Sequence, residues 1–214
     1  MTQIQDAVNM TTIKLKEFIE SCQKDFDNIS HERKEKLEIL SKFIQDNISD
    51  STLNLIFICI HNSRRSHLSQ VWAQVAAHHY GFNNVYCYSG GTEVTAMYPA
   101  IAKTLIDQGL NVVTIAEGKN PVYSIKYSEN AHPIVGFSKL FDDSFNPQSD
   151  FGAVMVCSAA DKNCPFIATA AQRILVPFED PKAFDDTPQQ KEKYAERSKQ
   201  IATELLYTFS LVKS

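Results

Sequence analysis

Cys59, Arg65 and Ser66 stand at the spacing Cys-x5-Arg-Ser within "CIHNSRRS", directly after the apolar run "LNLIFIC" and directly before a stretch of helical periodicity. A loop that joins a strand to a helix can curl until consecutive backbone N–H groups converge, and the helix N-terminus adds partial positive charge. Such a cradle suits a tetrahedral oxyanion held by the residues between the two anchors, Ile60, His61, Asn62, Ser63 and Arg64. Arg65 would add a planar fork for two of the oxygens, a geometry lysine lacks. The same positive surroundings favour thiolate over thiol at Cys59, and Ser66 can hydrogen-bond the sulfur. Types and spacing thus point to attack by Cys59 on a bound oxyanion. The structural alternative is a buried thiol at a strand end, followed by arginines that cap or solvate a helix. Cys-x5-Arg alone is a loose pattern, and its position between strand and helix is what favours chemistry.

Two further groups extend this reading. Asp180, in "PFEDPKAF", follows the last expected strand and so falls at the carboxyl edge of a parallel sheet, where open α/β sheets bind ligands. It could protonate an oxygen leaving the oxyanion and later activate water; an ordinary Asp-Pro turn is the plainer account. Cys157 ends the apolar run "AVMVC", and Cys164 follows seven positions later. If the strands ending at Cys59 and Cys157 are neighbours, their backbones lie about 4.7–4.9 Å apart, within disulfide range, and a loop movement would let Cys164 take over the bond. Three thiols could then pass an oxidation outward.

The remaining candidates carry less. Cys22 and Cys87 sit in apolar or amphipathic patterns and read as small core residues. Cys157 and Cys164 lack the short spacing of zinc ligands and no suitably spaced histidine pair follows, so no metal is expected. His78 and His79 adjoin each other on a helix, and His67 and His132 have no evident partner.

These residues need a frame, and the chain's periodicities supply one. Residues 1 to 50 contain no proline or glycine and place Leu15, Phe18, Ile19 and Cys22 on one helical face, then Leu37, Leu40, Phe43 and Ile44 on another. "DNIS" reads as the turn of a helical hairpin, with Ser30 as N-cap. From residue 51 strands alternate with helices, the pattern of a largely parallel sheet covered on both faces. A helix from about Arg65 to Tyr80 turns Leu68, Val71, Trp72 and Val75 inward and ends at Gly81. "VYCY" is a short strand, "SGG" a glycine turn, "YPAIAKTLIDQG" a helix and "NVVTI" a strand. The tract 120 to 147 suggests an edge β-hairpin, "RILVPF" a further strand and residues 188 to 212 a terminal helix. The division expected is an N-terminal helical extension, 1–50, and an α/β domain, 51–214.

Composition limits the partners. Of 214 residues, 21 are Lys or Arg and 25 are Asp or Glu, a formal charge of −4, so binding of nucleic acid by bulk charge is not expected and any anion site must be local. No apolar segment approaches the roughly 20 residues of a membrane helix. "MTQIQDAVNM" lacks a basic stretch followed by an apolar block, which makes the cytoplasm the expected location. Five cysteines, an odd number spread along the chain, fit a reducing compartment. The sequence leaves the oligomeric state open.

Together "CIHNSRRS", "YSGGTE", "CSAADKNCP" and "EDP", in that order, resemble the low-molecular-weight protein tyrosine phosphatase superfamily and, within it, the thioredoxin-coupled arsenate reductases, over about residues 53 to 212. The resemblance implies a four-stranded parallel sheet with the strands ending at Cys59 and Cys157 adjacent. It also implies Cys59 as nucleophile, Arg65 and the loop amides as oxyanion binders, Asn62 and Ser66 as supports, and Asp180 as general acid. In the reductases, Cys157 and Cys164 would complete a disulfide relay reducible by thioredoxin, with no bound cofactor. The phosphatases, which hydrolyse a phosphate monoester through a phosphocysteine, need neither. A non-catalytic oxyanion or phosphopeptide sensor is a third reading. Two positions depart from the family pattern: His61 stands where glycine is usual, and Arg64 where a second cysteine is. His61 reads as a loop-tip residue that contacts substrate, and Arg64 as an extra basic group for a larger anion or, on the plainer account, a solvated surface charge.

Overall fold

In the computed structural model, which describes residues 2–48, 51–156 and 167–213, a four-stranded parallel sheet carries the loop of residues 60–64. Its strands are β1 (Leu53–Cys59), β2 (Val85–Gly91), β6 (Phe151–Met155) and β7 (Ala170–Leu175), in spatial order β2-β1-β6-β7. The continuous apolar runs of β1 and β6 have the cause expected of them: both are interior strands, and Leu55, Ile56, Phe57, Ala153 and Val154 are buried. Helices α3 (Arg65–His79), α4 (Pro99–Asp107) and α5 (Gln190–Ser210) cover the sheet together with α1 (Thr2–Gln23) and α2 (His31–Asn47).

The N-terminal helices form as their apolar spacing requires. Leu15, Ile19 and Cys22 of α1, and Leu37, Leu40, Phe43 and Ile44 of α2, enter the common core, and both helices lean on α5. Ser30 caps α2 by accepting the Arg33 amide at 3.3 Å, and Lys34 N donates to Ser30 O at 2.9 Å. Trp72 of α3 stacks on Phe18 at 4.9 Å and donates its indole N–H to Ser198 Oγ at 2.8 Å; Ser198 in turn donates to Gln108 Oε1 at 2.6 Å. A single buried ring thereby joins α1, α3, α5 and the end of α4.

The outer edge of β2 is closed by side chains. Gln74 Nε2 donates to Val85 O at 2.9 Å, Cys87 N donates to Gln74 Oε1 at 2.9 Å, and Gln70 Nε2 donates to Cys87 O at 3.1 Å. Two glutamines of α3 stand in for a missing strand, which removes the exposed donors and acceptors that make sheet edges reactive.

Two expectations change. "SGG" is not a turn: Gly90 and Gly91 continue β2, and what they provide is closeness. A Cβ on Gly90 would stand 2.4 Å from Phe141 Cα, and one on Gly91 2.5 Å from Ile60 O and 2.8 Å from Asn62 N. The hairpin within 120–147 forms as β4 (Val122–Lys126) and β5 (Ile134–Gly136), but β3 (Asn111–Ala116) pairs with β4 on its other side. The result is a separate antiparallel sheet, β3-β4-β5, that lies beside β2 without pairing with it: Tyr127, Ile134 and Val135 line one cavity with Val85–Tyr88. No helix among the described residues is long and apolar enough to cross a membrane.

Candidate active site

The loop that follows β1 is held open by its carbonyls. Cys59 O accepts from Thr92 N at 3.2 Å, Ile60 O from Glu93 N at 2.8 Å, Ser63 O from Tyr98 N at 3.0 Å and Arg64 O from Leu68 N at 3.0 Å. His61 O accepts from Thr95 Oγ1 at 2.8 Å and Ser138 Oγ at 3.1 Å, and Asn62 O from His67 Nε2 at 2.9 Å. In a planar trans peptide the C=O and the following N–H point in opposite directions. Six consecutive carbonyls directed outward therefore turn the amides of residues 60 to 65 inward, and among the described residues none of these donors has a protein partner. The ring of N–H groups lies at the N-terminus of α3, whose dipole favours negative charge there.

Asn62 shapes the ring. Its φ of 42° is in the left-handed region that asparagine tolerates better than most residues, and the residue is fully buried. The side chain bonds in two directions: Oδ1 accepts from Lys139 N at 2.9 Å, and Nδ2 donates to Ser66 Oγ at 2.9 Å. Because Ser66 Oγ already accepts from Asn62, its own proton is free for the Cys59 sulfur, 3.1 Å away. His61 has no left-handed backbone, and its ring lies 3.0 Å from Glu93 at the loop tip.

Arg65 enters from the first turn of α3. One guanidinium nitrogen donates to Phe178 O at 3.0 Å and another to Asp180 Oδ2 at 2.7 Å, while the buried Nε–H has no partner among the described residues. Asp180 also caps the short 3-10 turn Pro181–Phe184 by accepting from Lys182 N at 3.1 Å. Cys59, Asn62, Ser66 and Arg65 are thus brought to one sheet edge with Asp180, which lies 115 residues beyond Arg65. Cys157 and Cys164 lie outside the described residues. The strand leading to Cys157 does run beside β1 in parallel, with Ile58 opposite Met155 and Val156 N donating to Ile58 O at 2.9 Å.

Arg64 is not a solvated charge. It is 8% exposed, its Nε donates to Tyr194 OH at 2.6 Å, its NH2 pairs with Asp185, and its guanidinium lies 4.2 Å from the centre of the Tyr98 ring. Burial works against the charge, but Tyr194 and Asp185 outweigh it and hold the guanidinium pKa above its ordinary value. Burial and the same Asp185 carboxylate push the Tyr194 phenol up. His67 also proves to have partners. It donates from Nε2 to Asn62 O, which can only accept, so Nδ1 is left to accept from Ser89 Oγ at 3.2 Å. Burial, reinforced by the charge of Lys139, lowers its pKa to about 3 and keeps it neutral. Lys139 itself is buried against Phe137 and Phe145, and burial lowers its pKa to about 8.

Beside the loop opens a groove of about 360 Å³ lined by His61, Arg64, Met97, Tyr98 and Lys182 among others. Cys22 and Cys87 are buried in the core, where burial raises both thiol pKa values. Among the described residues no cluster of three or more histidine, cysteine or acidic side chains could hold a metal ion.

The chain is similar to two arsenate reductases of Staphylococcus epidermidis strains, each 27% identical over 127 residues that cover 59% of this chain and 77% of the relative. Among solved structures, a thioredoxin-dependent arsenate reductase of Corynebacterium glutamicum matches with 18% identity and a TM-score of 0.43, over 84% of this chain and 71% of that one. A low-molecular-weight phosphotyrosine phosphatase of Vibrio cholerae matches with 14% identity and a TM-score of 0.44, over 72% of this chain and 92% of that one. No family model matches the chain.

Proposed function

We propose that the chain is an arsenate reductase that acts through Cys59 and a relay of three cysteines. The observation that supports the oxyanion site is the set of six bonded loop carbonyls, which leaves the amides of residues 60 to 65 and the Nε–H of Arg65 without protein partners among the described residues. The reductase assignment draws on the sequence similarity to arsenate reductases and on the pairing of β1 with the strand that leads to Cys157.

In the proposed reaction the Cys59 thiolate forms a bond to arsenic, and an arsenic–oxygen bond breaks as Asp180 gives a proton to the departing hydroxide, which leaves as water. The Cys157 thiolate then attacks the Cys59 sulfur. The sulfur–arsenic bond breaks with its electron pair left on arsenic, so arsenic(V) becomes arsenite and the two thiols become a disulfide. The Cys164 thiolate displaces Cys59 from Cys157, and the dithiol of thioredoxin reduces the Cys157–Cys164 disulfide. The reading takes thioredoxin as the reductant, a small tetrahedral oxyanion as the substrate, and no bound cofactor.

The second reading is hydrolysis of a phosphate monoester through a phosphocysteine on Cys59. The groove along Met97, Tyr98 and Lys182 favours it, because arsenate carries no organic group to place there. Arsenate with thioredoxin, thioredoxin reductase and NADPH, and separately phenyl phosphate, distinguish the two. For the reductase, Cys59→Ser, Cys157→Ser and Cys164→Ser each abolish arsenate turnover; for the phosphatase, Cys59→Ser alone abolishes ester cleavage. Ester cleavage that is indifferent to Cys157 and Cys164, with arsenate unconsumed, refutes the reductase. Phosphate binding without either turnover would make the loop a sensor.

A further inference from the structure

We infer that Arg64 is a positioning residue for the proposed general acid: it ties the far end of the segment that carries Asp180 to the anion loop, so that Asp180 stays at the site when Arg65 turns to the anion. The inference rests on the reading of Asp180 as the acid.

Two neighbouring arginines of the loop grip the same segment at both ends. Arg65 holds Phe178 O at 3.0 Å and Asp180 at 2.7 Å; Arg64 holds Asp185, five residues further on. Between them runs only the 3-10 turn Pro181–Phe184, which Asp180 itself caps. The Arg65 anchor is the one that the reaction weakens. An arriving oxyanion competes with Asp180 for the guanidinium, because planar fork geometry suits both acceptors. The Arg64 anchor is already engaged within the protein: its donors go to Asp185 and Tyr194, and its guanidinium lies against the ring of Tyr98.

The anchor is also stiff. Tyr194 donates its hydroxyl to the other oxygen of Asp185, so guanidinium, phenol and carboxylate close a triangle that joins the anion loop to α5 and the acid segment. Tyr98 OH donates to Gln190 Oε1 at 3.1 Å, and that same oxygen accepts Asp186 N at 2.8 Å, so the residue after Asp185 is fixed from a second side. Asp186 adopts a φ of 59°, a left-handed conformation at the point where the chain leaves the triangle. A cysteine at position 64, as in the family pattern, could make none of these bonds; the departure from that pattern is what builds the clamp.

The test compares wild type with Arg64→Met, Asp185→Asn, Asp180→Asn and the double variants that carry Asp180→Asn, all as full chains. Each is assayed on phenyl phosphate, a poor leaving group, on 4-nitrophenyl phosphate, a good one, and on arsenate with thioredoxin, its reductase and NADPH. Inorganic phosphate is the competing ligand. An acid matters most when the leaving group is poor. Arg64→Met and Asp185→Asn are therefore expected to lower phenyl phosphate turnover by about 10- to 100-fold and 4-nitrophenyl phosphate turnover much less, with phosphate inhibition changed less than about threefold. Added to Asp180→Asn they should cost nothing more, on esters or on arsenate, because residues that act as a unit are non-additive. Equal losses on both esters, or losses that multiply in the Asp180→Asn background, overturn the inference. If Asp180→Asn alone leaves turnover intact on every substrate, the acid reading has failed and the inference falls with it. Wild type inert on all three substrates ends both. Asp185→Asn, which keeps the shape but removes the charge and turns one of the two acceptor oxygens into a donor, stands in should Arg64→Met not fold.

Discussion

The anion loop and the three-stranded sheet occupy neighbouring parts of one molecule and are made in opposite ways. In the loop, carbonyls from Cys59 to Arg64 are all tied outward, and Asn62, Ser66 and His67 are buried with bonded side chains. In β3, Val113 is 52% and Ile115 58% exposed, and the strand pairs on one side only, with β4. A site that holds a dense negative charge needs its donors fixed before the ligand arrives, since donors that must reorient lose much of their advantage. A sheet that covers an underlying core needs only its inward side chains, here Tyr123, Ile125 and Ile134, to be well packed. Rigidity in this fold thus follows polar bonding more than secondary structure.

Matched glycine substitutions test that contrast most severely. Gly91→Ala puts a methyl group 2.5 Å from Ile60 O and 2.8 Å from Asn62 N, both backbone atoms of the loop. The expected loss is about 2–4 kcal/mol in urea denaturation, together with weaker inhibition by phosphate. Gly136→Ala, in β5, meets Ile125 Cδ1 at 3.3 Å and Met97 Sδ at 3.4 Å, the ends of flexible side chains. It should cost under about 1 kcal/mol. Equal losses would break the comparison.

A pH series sharpens it. His67 has its pKa lowered from 6.5 to about 3 in the folded chain. As pH falls through the ordinary value the unfolded chain takes up a proton and the folded chain does not, so this group draws stability away from about pH 6.5 down to about pH 3. His67→Gln, which keeps an amide donor for Asn62 O, should reduce the loss between about pH 7 and about pH 4 by about 1–3 kcal/mol. An unchanged slope would mean that His67 is not held neutral under the loop. The smallest effect is expected on the open sheet: Val113→Thr should shift stability by no more than about 0.5 kcal/mol and leave turnover as it was.

What could be read from sequence divides along similar lines. β1 and β6 announce themselves because strands buried on both faces are apolar without interruption, and Cys59, Arg65 and Ser66 lie within eight residues that one local loop must bring together. Arg64 was invisible as a clamp because its partners lie 121 and 130 residues away, and a lone arginine beside another carries no sign of burial. Gly90 and Gly91 look like a turn to any local rule, since glycine in a turn and glycine under a crossing backbone are written the same way; Phe141 and Ile60, which decide the matter, are far along the chain. The same holds for His67, whose proton acceptor Asn62 is near in sequence but whose donor Ser89 is on β2. Local chemistry was legible, and its remote supports were not.

The glutamine stitching between α3 and the rim of β2 bears on how a visitor to the site can be accommodated. The helix that presents Arg65 and Ser66 at its first turn is sewn down one and two turns later, so it can neither slide nor swivel without tearing amide pairs from the strand. That wall of the cleft is an anvil. Whatever yielding a bulkier guest demands must come from the other lining of the groove, the chain around Met97 and Tyr98, where a few side-chain grips set how far the jaw can travel.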